Sequence, residues 1–122
     1  MTHILSSALL GIVEEAGMAV VTLVEGLERD ELLRSRLTRH EVQRQLKTLA
    51  DSLAQMTPPD RLALPEIDWA GWQSLRTPLS STQANPALDD ALWFACESLV
   101  PATLLWLRVY RQNQPELFRM AG

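Results

Sequence analysis

A chain of 122 residues with 11 basic and 15 acidic side chains carries a formal charge of −4 and a pI of about 5.1, so no global positive field draws it to nucleic acid. The length sets a single domain with little room for a second module. One cysteine, Cys96, and two histidines far apart, His3 and His40, exclude an internal disulfide and argue against a protein-only zinc site, and no metal or cofactor is expected.

Proline and glycine gather in two places, and the stretches between them repeat with a period near 3.6, which predicts an all-α fold, a helical bundle over residues 1–114 with a short tail at 115–122. In the first stretch Leu5, Leu9, Ile12, Ala16, Ala19, Leu23 and Leu27 line one face, and Leu10, Val13, Gly17, Val21 and Val24 line a second beside it. A helix apolar over so much of its circumference either packs at the centre of its own bundle or also meets another subunit. The longest apolar run, Ala16 to Val24, lies between Glu15 and Glu25 and is too short to span a bilayer. With no basic segment or cleavage site at the N-terminus, a reduced cytoplasmic setting without membrane contact is expected.

The second helix is predicted to start near Thr38, whose hydroxyl caps while Glu41 reaches back, and to bury Val42, Leu46, Leu49 and Leu53. On another side Arg36, His40, Arg44 and Lys47 recur at four, four and three, a basic strip in an acidic protein. Such a strip either meets phosphates or an acidic partner, or is simply a solvated face. Thr57-Pro58-Pro59-Asp60 ends this helix, because neither proline donates the next backbone hydrogen bond. Asp68 then caps a short helix carrying Trp69, Trp72 and Leu75, which is cut near Pro78, and Thr77 to Asn85 reads as a polar loop.

The last helix opens with Asn85 as cap, Pro86 at its first position, and Asp89 and Asp90 in the first turn, where the dipole favours negative charge. Its core side is expected to be Leu88, Leu92, Ala95, Leu99, Ala102 and Trp106, with a kink at Pro101 and a stop by Gln114-Pro115 that leaves Leu117, Phe118 and Met120 in the tail. Glu14-Glu15 and Asp89-Asp90 are adjacent on helices and diverge by about 100°, so neither forms a catalytic carboxylate pair. Cys96, among apolar neighbours with no histidine nearby in sequence, reads as an inert buried thiol.

The run Leu64-Pro65-Glu66-Ile67-Asp68-Trp69-Ala70-Gly71-Trp72-Gln73-Ser74-Leu75-Arg76 follows the helix of Val42, Leu46 and Leu49 and precedes the Leu99-Val100-Pro101 turn. In that order the blocks resemble the core of HepT-like HEPN proteins, in which P-x-I-x-W and then an Arg lead into the catalytic signature. The resemblance runs from Val13 to Arg111 and is densest between Ser35 and Trp93. It implies an up-and-down four-helix bundle with a kinked C-terminal helix, forming homodimers whose motif regions line a shared cleft. It also implies a toxin-antitoxin setting, with a nucleotidyltransferase-type antitoxin that adds AMP to the motif's tyrosine, and metal-independent RNA cleavage in active members.

That chemistry asks for an imidazole to move a proton near neutral pH and a guanidinium to hold the phosphate as charge builds on it. Arg76 matches the motif arginine, but Thr77 and Pro78 follow it, and the positions of the motif His and Tyr, near Ser81 and Gln83, hold neither. A hydroxyl at Ser81 or Thr82 donates a hydrogen bond but does not titrate near pH 7, and losing acid–base help typically costs about 10²–10⁴ in rate. Arg76 is left to hold a phosphate, or to pair with Asp68 or the negative end of a helix. Tyr110 is too far along the last helix to replace the missing acceptor. Arg34 and His40 satisfy the bare arginine-to-histidine spacing but lie before the P-x-I-x-W block. The expectation is a degenerate nuclease centre at Arg76 and Ser81 in a protein that acts by binding, through its motif end or the strip of Arg36, His40, Arg44 and Lys47. An active ribonuclease using Arg76 with His40 is the competing reading, and a plain adaptor bundle the third.

Overall fold

Chain breakers and caps divide residues 2–119, which the computed structural model describes, into seven α-helices and two tighter or wider turns. They are α1 (Thr2–Val24), α2 (Arg29–Arg34), α3 (Arg36–Ala54), α4 (Pro58–Ala63), α5 (Trp69–Leu79), α6 (Pro86–Phe94) and α7 (Val100–Asn113). A π-helical segment, Ala95–Leu99, joins α6 to α7, and a 3₁₀ turn, Pro115–Phe118, follows α7. No strand occurs among the described residues, and the fold is all-helical as expected. Met120 of the anticipated tail lies outside them.

Local chemistry accounts for most of the boundaries. α1 ends at Gly26, which takes φ +77, a left-handed conformation that costs glycine no Cβ clash. Thr57 caps α4 by accepting from the Asp60 N–H, with Pro58 at the first helical position. Asp68 accepts from Gly71 N–H at 2.8 Å to start α5, and Asn85 accepts from Leu88 N–H at 2.9 Å to start α6. Both caps are where the sequence places them.

Three boundaries differ from expectation. α3 begins at Arg36 after Ser35, not at Thr38, and Glu41 turns forward to Arg44 and Gln45 instead of back to a cap. A separate short helix, α2, precedes it, opened at Glu28, whose N–H donates to the Glu31 carboxylate at 2.9 Å. Pro78 sits inside the last turn of α5, which runs to Leu79, so the polar loop is Ser80–Asn85 and not Thr77–Asn85.

The core is drawn from α1, α3, α5, α6 and α7. Leu10, Val13 and Val20 meet Val42, Leu46, Leu49 and Leu53, and Trp72, Leu79, Leu88, Leu92 and Leu107 complete it. Trp72 is 1 % exposed and donates Nε1–H to Thr103 Oγ1 at 3.0 Å, so its one polar atom is satisfied. On α1 the buried stripe runs between the two predicted faces, through Leu9, Leu10, Val13, Ala16, Gly17 and Val20, while Leu5, Ile12 and Val21 are exposed. The reason is that α3, α7 and the 3₁₀ turn all pack on one half of the helix. By length and composition, Leu5–Val24 and Pro86–Asn113 are long enough to cross a bilayer, and both contribute side chains to this core.

The C-terminal rod corrects the sequence most instructively. Leu88, Leu92, Ala95 and Leu99 are buried as expected, but Ala102 is exposed and Trp106 only half-buried; Thr103, Leu107 and Tyr110 take the core positions instead. The π-helical segment holds one residue more than an α-turn, so every downstream side chain is displaced by one position. Pro101 lies just beyond it, where a wider turn relieves the clash of the proline ring with the preceding carbonyls.

Candidate binding groove

On α3, the residues 36, 40, 43, 44, 47 and 51 share one side at helical spacing, away from the buried Val42, Leu46 and Leu49. Opposite them runs the loop that follows α5. His40, Gln43, Arg44 and Lys47 face Leu79, Ser80, Ser81 and Thr82 across a hollow of about 360 Å³. It adjoins a second, of about 470 Å³, where Arg36, Arg39, His40 and Gln43 face Thr82, Gln83, Ala84 and Leu88. Because His40, Gln43 and Thr82 line both, the two form one groove along α3.

Gln43 builds it. Its Nε2 donates to the carbonyls of Leu79 and Ser81, each at 2.9 Å, which meets the open end of α5 and pins the loop to α3. Ser81 Oγ donates to Gln83 O at 2.8 Å and accepts from Asn85 Nδ2 at 3.0 Å, so the loop is closed by its own polar side chains. The strip residues Arg36, His40, Arg44 and Lys47 are thus brought alongside Ser81, although 34 residues or more separate them in sequence.

The charges are unevenly available. Arg44 forks onto Glu41 at 2.8 and 2.6 Å, and this, with Gln45, holds the Glu41 carboxyl down at about 2. Asp51 accepts from both Lys47 Nζ, at 3.3 Å, and Arg76 Nε, at 3.1 Å. Arg39 pairs with Asp89, while Arg36 and His40 form no ion pair among the described residues. Five cations therefore stand against three carboxylates, a formal excess of two, located at Arg36 and at the Lys47–Arg76 pair.

Arg76 pairs with Asp51, neither with Asp68 nor with a helix end, and Asp68 is occupied as the cap of α5. Lys47 Nζ also reaches Ser80 Oγ at 3.4 Å, and Ser80 Oγ donates to the Arg76 carbonyl at 2.8 Å, which places Arg76 at the Lys47 end of the groove. Arg34 is turned to its own helix, donating to Asp30 O at 3.3 Å. Gln43 and Asp51 were missed in the sequence; their only signal is that they fall on the basic face, where a glutamine and an aspartate interrupt the cations.

Two other reactive groups are held away from chemistry. Burial pushes the Cys96 thiol up to about 12, so it stays protonated near neutrality. Tyr110 donates to the Glu66 carboxylate and accepts from the Glu66 N–H at 2.8 Å, tying α7 to the turn before α5. Among the described residues no group of three or more His, Cys, Asp or Glu side chains is placed to hold a metal ion. Compared with protein-family models, with curated proteins and with solved structures, the chain matches none.

Proposed function

We propose that this chain is a HepT-like HEPN bundle whose nuclease centre has lost its acid–base chemistry, and that it acts in the cytoplasm as a homodimeric binding subunit for a nucleotidyltransferase-type partner. The observation that carries the reading is the separation of the groups a nuclease would need together. His40 and Lys47, the residue next to Arg76, are seven positions apart on α3, about 10 Å along its axis at 1.5 Å per residue. A general acid or base must come within about 3 Å of the proton it moves; within one protomer His40 and Arg76 share no hydrogen-bond partner among the described residues, and Arg76 is engaged by Asp51. Ser81, at the position of the motif histidine, is occupied within its own loop. What remains is a preformed polar groove with unpaired positive charge, suited to holding a ligand.

The test is RNA cleavage by the purified protein beside Arg76→Ala and His40→Ala, without metal and with chelator. No cleavage is expected from the unaltered chain. Cleavage abolished in either variant would restore the active-ribonuclease reading. In parallel, sedimentation should give twice the 13.7 kDa chain mass, and a monomer would remove the dimer from the proposal.

A further inference from the structure

We infer that the groove between α3 and the Ser80–Ala84 loop receives an extended acidic segment of a protein partner, with two carboxylates about five residues apart. The inference rests on the reading that this chain acts by binding, and it specifies what is bound. Its basis is the distribution of free charge along the groove. One positive end is Arg36, beside His40; the other is Lys47 with Arg76, which share the single carboxylate of Asp51. Between them Arg44 is already neutralised by Glu41, and the lining is the Gln43 amide with the Ser81 and Thr82 hydroxyls.

The spacing follows from helix geometry. Arg36 and Lys47 are eleven residues apart, about 16 Å along the axis. An extended peptide rises about 3.3 Å per residue, so five residues cover that distance. Gln43 Nε2 is engaged by the loop, which leaves its Oε1, with the Thr82 hydroxyl, to meet the peptide backbone in between.

Charge arithmetic separates this ligand from a nucleic acid strand. A nucleic acid strand carries a phosphate charge at every nucleotide, whereas a peptide places charge only where acidic residues stand. The groove offers a formal excess of two, in a chain of net charge −4. Two carboxylates balance it and leave the polar middle of the groove to the peptide backbone.

The experiment uses the full chain, isotope-labelled, titrated with Gly/Ser peptides carrying two aspartates spaced two, five or eight positions apart, and with a single-stranded RNA of equal length. Amide shifts should concentrate on α3 and residues 80–84, with the five-residue spacing binding most tightly. Arg36→Gln and Lys47→Gln should each weaken that peptide about three- to fivefold, the range of an exposed ion pair. Arg108→Gln, an exposed charge on α7 outside the groove, should leave it unchanged. Equal binding at all three spacings, no shifts at millimolar peptide, or equal loss in Arg108→Gln would overturn the inference. So would RNA binding tighter than every peptide at this groove. RNA cleavage refutes the parent reading separately, since a flat spacing series without cleavage removes only the acidic-segment assignment.

Discussion

Trp72 shows how much one polar atom matters in this core. Its ring is almost wholly buried and its indole N–H has a single partner, Thr103 Oγ1. Thr103→Val keeps the shape but strands that donor, an expected loss of about 1–3 kcal/mol. Trp72→Phe combined with Thr103→Val should cost less than the sum of the two singles, because the second change removes the orphan. Chemical denaturation reads this as a shift in midpoint at constant slope, and full additivity would deny the bond. Tyr110 supplies a second residue-scale test, since it is the only tyrosine in the chain. Burial first, and then its hydrogen bond to Glu66, push the phenol up to about 12 from an ordinary value of 10. A raised folded value means the neutral form is favoured by folding. The contribution is therefore complete below pH 10 and is lost as the pH rises through 12. Near-ultraviolet titration should place the phenolate midpoint near the upper value. Glu66→Gln should bring it part of the way down, with burial retaining the rest; a midpoint at 10 in the unaltered protein would contradict the packing.

At the scale of elements, the π-helical segment acts as a one-residue insertion that reconciles two packing registers. Upstream, Leu88, Leu92 and Ala95 are buried; downstream the buried set is Thr103, Leu107 and Tyr110 in place of Ala102 and Trp106, and at 100° per residue the centres of the two sets differ by about 60°. Deleting the exposed Ser98 should convert the segment to an α-turn without moving Leu107 out of the core. The proline clash then returns, so the deletion combined with Pro101→Ala should melt at a higher temperature than the deletion alone. Deleting Arg44 from the middle of α3, which has no such slack, should unfold the protein, and circular dichroism melts distinguish the three. Equal damage from the Ser98 and Arg44 deletions would mean that the π-turn is not the element absorbing the register.

For the whole molecule, the two ends of the described chain stabilise each other. Ser7 on α1 donates to Leu117 O at 2.7 Å, Leu117 is buried, and the Arg111 guanidinium lies 4.5 Å from the Phe118 ring centre. Truncation before Pro115 uncovers part of α1 and removes one buried leucine and one cation–π contact, an expected loss of about 2–4 kcal/mol. Thermal melts of the shortened chain check this; an unchanged midpoint would show that the turn contributes nothing. The same closure directs α1. With α3, α7 and the 3₁₀ turn on one half of that helix, Leu5, Ile12 and Met18 are left on the outside.

What the sequence determined by itself was whatever depends on neighbours a few residues away. The helical class, the caps at Asp68 and Asn85, the Val42–Leu53 stripe and the stop at Asn113 follow from periodicity and from backbone groups that a nearby side chain satisfies. α2 and α4, at six residues each, are too short for a periodic signal to emerge. The groove was half legible: the strip of Arg36, His40, Arg44 and Lys47 stands out in sequence, but its opposite wall does not. Tertiary structure decided which half of α1 is buried, where the C-terminal rod gains its extra residue, and that Gln43 draws Ser81 beside His40. Each depends on packing or hydrogen bonding between segments dozens of residues apart, an energy no local pattern contains.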